Sequence, residues 1–259
     1  MKTQVILVWI QRTTCKVEKG LYPYFGLGDI IQGTIHLYQL SKLLDFVLWV
    51  DMSRHPLRHY LKPTSHPFAA FAAAHKEIPY IADASDYISK RKSKIMCLFS
   101  NKYGTPSLTP DCKEFIRNLL TPNPVFAQKL DLKPFHVLHF RLGDDALKST
   151  QIQFRFSRLN PTASTFGELF YKVKKYADDD TVLLSDNQAF KDFVAKKHGV
   201  RMFPTNIQHA GLSEDIGDTL FEFLLMTRAV TIKTFTVYTW VSGFAKIAHC
   251  VYDVPLQSI

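Results

Sequence analysis

Thr181-Val182-Leu183-Leu184-Ser185-Asp186-Asn187-Gln188-Ala189-Phe190-Lys191-Asp192-Phe193-Val194-Ala195-Lys196-Lys197-His198-Gly199-Val200-Arg201-Met202-Phe203 reads as strand, helix and strand in immediate succession. Thr181 to Leu184 is a short apolar run, the pattern of a strand buried on both faces. Ser185-Asp186-Asn187 leads into a helix that puts Phe190, Phe193 and Val194 on one face. Gly199 is expected to close that helix as a C-terminal cap, and Val200 to Phe203 to supply the next strand. A helix between two such strands returns the chain in the same direction, so the sheet is parallel and the fold class is α/β.

The same grammar holds upstream. From Phe135 a strand alternates so that Phe135, Val137, His139 and Arg141 share one face, while His136, Leu138, Phe140 and Leu142 share the other. Near the N-terminus, Val5 to Trp9 reads as a buried strand and Phe25-Gly26-Leu27-Gly28-Asp29 as a glycine-bearing turn. A helix is expected from about Ile30 to Leu44, followed by the strand Phe46-Val47-Leu48-Trp49-Val50, which ends at Asp51. Residues 53 to 134 carry many prolines, several histidines and the run Ala69 to Ala74; they read as helices and loops completing a first domain. The domains are expected at 1–130 and 131–259.

Composition bounds the function without naming it. The 259 residues are 46% apolar and 21% charged, enough to build cores for two compact α/β domains. With 32 Lys and Arg against 23 Asp and Glu, the net charge of +9 favours anionic partners. The basic residues are scattered, so a nucleic-acid partner rests on charge alone and is not expected. Four dispersed cysteines, Cys15, Cys97, Cys112 and Cys250, form neither a CxxC pair nor a metal cluster. No run is long enough for a transmembrane segment or shaped as a cleaved leader. A soluble cytoplasmic protein, or one docked peripherally on a membrane, is expected.

Open parallel sheets bind ligands at the carboxyl ends of their strands, which focuses attention on His139-Phe140-Arg141-Leu142-Gly143-Asp144. Arg141 carries a planar, always-charged fork suited to a diphosphate. His139 can exchange hydrogen bonds beside it, and Gly143 permits close backbone approach. Asp144 and Asp145 stand at the strand mouth, where a carboxylate can accept a proton. The competing reading is a surface Arg–Asp ion pair. Gly26 and Gly28 fail the spacing G-x-G-x-x-G; they form either a ligand wall or a turn that needs positive φ. Glu222 projects about 120° from the stripe of Ile216, Leu220, Phe223 and Leu224. It is either a base-reading acid or an ordinary surface carboxylate. Ser242 and Gly243 fall at a helix N-terminus, a phosphate site or a plain N-cap.

The hexapeptide at His139 resembles the H-x-R-R-x-D motif of the α1,2-, α1,6- and protein O-fucosyltransferases. Phe25 to Gln32 looks like their glycine-rich N-terminal turn, and Val182 to Asn187 like their strand ending in Thr/Ser-Asp-Asp. Asp218 to Ala229, Thr234-Phe235-Thr236 and Ser242 to Ala248 look like their C-terminal donor-binding stretch. The matches run in order over most of the chain outside about 53 to 134. The resemblance implies a GT-B-type fold, two Rossmann-like domains facing a donor-binding cleft, the first on the acceptor side and the second binding a nucleotide sugar. It implies inverting, metal-independent transfer without a cofactor, from GDP-fucose to a hydroxyl of a glycan or glycoprotein. Arg141 would match the diphosphate-binding arginine, His139 the histidine near the nucleotide, Asp186 the strand-end signature, Glu222 the acid that reads guanine, and Ser242 the serine at the phosphate.

One position departs from the pattern: Leu142 replaces the second arginine. It leaves open another donor such as UDP-xylose, making the protein a xylosyltransferase. A non-catalytic glycan- or nucleotide-binding protein is the remaining alternative. Asp144 and Asp145 are candidates for the catalytic base by proximity alone.

Overall fold

The structure, a computed structural model, describes residues 2–10, 15–16, 26–91, 93–105, 107–143, 153–155, 163–207 and 215–259, with only the backbone at 15–16, 153–155 and 163–165. The chain divides into two compact units, Met1–Gln128 with Gln208–Gly217, and Lys129–Ile207 with Asp218–Ile259.

The first unit runs β1 (Gln4–Val8), β2 (Cys15–Lys16), α1 (Leu27–Leu43), β3 (Val47–Asp51), a 3₁₀ turn (Pro56–His59), α2 (Ala69–Ala74), β4 (Ile78–Pro79), α3 (Ala84–Lys90), β5 (Ile95–Leu98), α4 (Pro110–Leu119) and α5 (Pro124–Gln128). Its main sheet is parallel in the order β3-β1-β5. Every residue of β1 is buried, which is why its sequence shows no polar alternation. Helix α1 lies so close to the segment after β5 that a Cβ on Gly33 would sit 1.9 Å from the Ser100 carbonyl oxygen. Trp9, at the end of β1, is fully buried and donates from Nε1 to Thr34 Oγ1 of α1 at 3.1 Å.

The second unit runs β6 (His136–Arg141), β7 (Gln153–Arg155), β8 (Ala163–Thr165), α6 (Phe166–Tyr176), β9 (Thr181–Ser185), α7 (Gln188–Lys197), α8 (Gly217–Arg228, whose first residue falls in the other unit), β10 (Thr231–Thr236), α9 (Gly243–Tyr252) and β11 (Leu256–Ser258). Its sheet is parallel in the order β11-β10-β6-β9, and Arg201 adds an isolated parallel bridge to Val182 on the far side of β9. The chain therefore moves outward from β6 to β9 and Arg201, then returns to the other flank of β6 for β10 and β11. That is the doubly wound arrangement, and its order reverses between β6 and β10. One sheet face carries Leu138, Phe140 and Leu142 into an apolar cluster with Phe166, Leu169 and Val173 of α6 and Phe190 and Val194 of α7. Rings of Phe140 and Phe190 meet at 5.0 Å.

Four local expectations are corrected. Helix α1 begins at Leu27, because the Asp29 carboxylate accepts the Gly26 N–H at 3.1 Å and closes the first turn early. Gly26 is an extended N-cap with φ −64° and Gly28 lies inside the helix, so neither supplies a positive-φ turn. Gly199 is not a left-handed cap: α7 ends at Lys197 and His198 is already extended, with φ −147°. Val200 to Phe203 is reduced to the single bridge at Arg201. Among the described residues no helix is long and apolar enough to cross a membrane.

Candidate functional site

Where the sheet order of the second unit reverses, the ends of β6 and β10 are tied by a hydrogen bond from the Val237 N–H to the Arg141 carbonyl at 3.1 Å. A crevice at this point is where an open parallel sheet takes its ligand. Arg141 occupies the last position of β6, with 26% of its side chain exposed. Its guanidinium donates from Nη1 to Asp186 Oδ2, just past β9, and its Cζ lies 5.8 Å from the Tyr238 ring centroid. Asp186 also accepts the Leu142 N–H at 2.7 Å and the Gly143 N–H at 3.2 Å. Burial pushes its carboxyl up, while the Arg141 guanidinium and the two backbone N–H groups pull it back towards ionisation. The pair is largely enclosed and multiply bonded, unlike a loose surface ion pair.

The structure changes what Gly143 does. Its φ of +100° is in the region that favours glycine, and an added Cβ would lie 3.1 Å from Tyr238 Oη and 3.2 Å from Val237 Cγ2. Its N–H is directed at Asp186, so glycine here seats the β6 end against the β10 end. Asp144 and Asp145 lie outside the described residues.

His139 is only 5% exposed, two residues inside the strand, and its Nδ1 is 3.0 Å from Thr234 Oγ1 of β10. Burial, aided by the Arg141 charge, lowers its pKa from 6.5 to about 3. The imidazole is therefore neutral at physiological pH. Because the folded value lies below the unfolded one, the unfolded chain binds the extra proton between them. Stability contributed by neutral His139 is thus present above pH 6.5 and is lost as pH falls towards about 3. NMR of the imidazole resonances should show no His139 titration between about pH 5 and 8; a midpoint inside that window would contradict the burial.

Glu222 is not an ordinary surface acid. Helix α8 is buried on several sides, with Leu220, Phe221, Phe223, Leu224, Leu225 and Met226 all in the core. Glu222 is 16% exposed and pairs with Lys191 Nζ of α7 at 3.1 Å; Thr205 Oγ1 also donates to it. Lys191, 4% exposed, additionally donates to Thr205 Oγ1 at 2.8 Å. Burial raises the Glu222 pKa, Lys191 and Thr205 lower it, and the Asp186 charge adds to the rise. Removing the ammonium by Lys191→Met should cost about 3 kcal/mol through the unpaired buried carboxylate. The sign with pH follows from a raised carboxyl pKa, which favours the folded state at low pH. Denaturant melts of Lys191→Met should therefore show a larger loss at pH 8 than at pH 5. Equal losses at both would mean that Glu222 is not the group left uncompensated.

Ser242 is the N-cap of α9, but its hydroxyl makes no capping bond, which removes the plain N-cap reading. It is 6% exposed, and Gly243 opens the helix. The first turn of α9 packs on α8 through Phe244 and Phe223, whose rings meet at 5.5 Å. Gly26 and Gly28, also expected at the donor, belong to the other unit, at the start of α1.

Sequence reasoning missed an aromatic pair beside Arg141. Tyr238 and Trp240 stack at 4.7 Å and 13°, and Trp240 is 52% exposed. Two aromatics one residue apart, directly after a buried strand, are the signal that was available. Leu142 lies on the sheet face opposite Arg141, as the strand alternation implies, and is 1% exposed within the α6 and α7 cluster. Among the described residues no three His, Cys, Asp or Glu side chains converge as a metal site.

No protein-family model matches the chain, and no match emerges among curated proteins. Solved structures do match in fold. NodZ α-1,6-fucosyltransferase soaked with GDP-fucose superposes with a TM-score of 0.56 at 12% identity, over 99% of this chain and 94% of that one. NodZ from Bradyrhizobium without a stated ligand gives 0.53 at 11%. POFUT1 in complex with GDP gives 0.50 at 13% identity, covering 99% and 98%. A mutant of Arabidopsis thaliana FUT1 with GDP gives 0.50 at 11%, over 100% of this chain and 70% of that chain. The fold is thus GT-B-type, with two Rossmann-like units.

Proposed function

We propose that this protein is a glycosyltransferase that moves fucose from GDP-fucose onto a glycan hydroxyl. The observation that carries the reading is Arg141, held at the reversal of the sheet order by Asp186 and still 26% exposed. Anchored to Asp186, the planar and always-charged guanidinium is already ordered at this crevice, so meeting a diphosphate there costs little rotamer freedom. The neighbours in fold support the donor class, since NodZ was soaked with GDP-fucose and POFUT1 holds GDP.

In this reading the N-terminus of α9 at Ser242 and Gly243 adds a partial positive charge at the phosphates. Glu222 reads the amino edge of guanine, for which its bond to Lys191 would have to open or be shared. His139, neutral, positions β6 against β10. The acceptor oxygen attacks the anomeric carbon from the face opposite the diphosphate, forming the new C–O bond as the C1–O bond to phosphate breaks with inversion. The diphosphate departs with the electron pair, its charge offset by Arg141 and the helix terminus. The hydroxyl proton passes to a carboxylate, assigned here to Asp144 or Asp145. No step in this scheme requires a metal ion.

Leu142 favours no other donor. It completes an apolar cluster, so the absence of a second arginine follows from core packing in this chain. A panel of sugar nucleotides tested by saturation-transfer NMR and calorimetry decides the matter. Preferential binding of GDP-fucose is expected; preferential binding of UDP-xylose would replace the donor, and no binding by any GDP- or UDP-sugar at millimolar concentration would sink the proposal. Binding without hydrolysis or transfer would make the protein a non-catalytic reader.

A further inference from the structure

The first unit contains a cavity of its own at the carboxyl end of β3, with a volume of about 640 Å³, within the range of small-molecule sites. Asp51, the last residue of β3, and His66 form its inner wall. Both are enclosed, their side chains 7% and 4% exposed, and His66 Nε2 stands 3.7 Å from Asp51 Oδ2. That separation is too long for a hydrogen bond, and it suits one hydroxyl that accepts from the imidazole and donates to the carboxylate. The other imidazole nitrogen, Nδ1, is buried without a partner. The gap between Nε2 and Oδ2 is the one that a ligand hydroxyl would close.

The rest of the cavity has two characters. Ala69 and Ala73, one turn apart on α2, line it with exposed methyl groups, an apolar surface against which the C–H face of a sugar ring can lie. Arg54 holds that helix in place by donating from Nη2 to the carbonyls of Ala72 at 2.8 Å and His75 at 2.6 Å. Arg58, His59 and Lys62, all exposed, also line the cavity. Arg58 donates to the Ser53 carbonyl and, from Nε, to His59 Nε2 at 3.3 Å, which leaves further guanidinium donors at the wall. Asp51 Oδ1 is taken by the Ser53 N–H at 2.7 Å. The mouth is therefore basic and the inner wall is matched to a hydroxyl.

We propose that this cavity binds an anionic sugar, a saccharide unit bearing a carboxylate or a sulfate; given the glycosyltransferase reading above, that unit belongs to the acceptor. The hydroxyl bridges Asp51 and His66, the ring lies against the alanine methyl groups, and the acidic substituent meets Lys62 and Arg58.

Calorimetry of the full chain against size-matched neutral, uronate-bearing and sulfated oligosaccharides tests this, with GDP-fucose and a short DNA duplex run alongside. Measurable binding of an acidic oligosaccharide is expected, at least about tenfold tighter than the neutral one. The stronger of the two acidic arms identifies the substituent. Lys62→Glu, an exposed change, should lower that affinity by about tenfold or more, and His66→Gln should lower it for acidic and neutral sugars alike. Retained affinity in Lys62→Glu, equal binding of neutral and acidic sugars, no saccharide binding, or a duplex that outcompetes the sugars would each overturn the proposal. The two readings fail separately: acidic-sugar binding that depends on Lys62, without GDP-fucose binding, would remove the donor assignment and keep this site.

Discussion

Replacing Arg141 with alanine is expected to weaken GDP and GDP-fucose binding about a hundredfold or more while the protein stays folded. The loss is large because a guanidinium pre-positioned by Asp186 gives up charge-assisted, two-pronged contacts that alanine cannot replace. The fold survives because Asp186 keeps the N–H groups of Leu142 and Gly143, at 2.7 Å and 3.2 Å, so its carboxylate is not left bare. Arg141→Lys should recover only part of the affinity, since an ammonium cannot hold Asp186 and a diphosphate through one planar fork. Wild-type affinity in a folded Arg141→Ala protein would remove Arg141 from the donor site.

The second large effect concerns stability. Gly33→Ala forces a methyl to within 1.9 Å of the Ser100 carbonyl oxygen and 2.8 Å of the Asn101 Cα, both backbone atoms that cannot swing aside. Helix α1 must then lift from the segment after β5, disturbing the Trp9 to Thr34 bond beneath it. A loss of about 3 kcal/mol or more is expected in denaturant melts, against the small gain that alanine normally brings to a helix interior. Gly199→Ala, where an added Cβ meets nothing within 4 Å, serves as the control. Equal stability of Gly33→Ala and the parent protein would mean that α1 does not pack against that segment.

Much of the architecture was legible in the chain because parallel strands are buried on both faces and announce themselves as apolar runs. Thr181 to Leu184, Val5 to Trp9 and Phe135 to Leu142 all mark strands, displaced by a residue or two at their ends. Glycine was the less faithful guide. Gly26 and Gly199 looked like turn and cap glycines, yet both helix ends are set by neighbours: the Asp29 carboxylate at one, the extended His198 at the other. Gly143 does adopt positive φ, and the close approach of Tyr238 and Val237, from the segment after β10, is invisible in sequence.

The candidate site was legible in its residue types and less so in their partners. Arg141 and Asp186 are 45 positions apart, and their ion pair depends on β6 and β9 being neighbours. The burial of Glu222 against Lys191 and Thr205 depends on α7 meeting α8, which periodicity within either helix does not show. Leu142 looked like a lost ligand contact until its face of the strand was assigned to the core. Residues 53 to 134 resisted reading because their elements are short. His66 of that stretch pairs with Asp51 before it, and the two lie on a loop and a strand with no shared period.

The most direct test of the donor site is a crystal of the full chain soaked with GDP-fucose. Density for the diphosphate is expected at the carboxyl ends of β6 and β10, with Arg141 nitrogens within about 3 Å of phosphate oxygens and the guanine base near Glu222. A diphosphate bound elsewhere, or one at that crevice that Arg141 does not contact, would contradict the assignment.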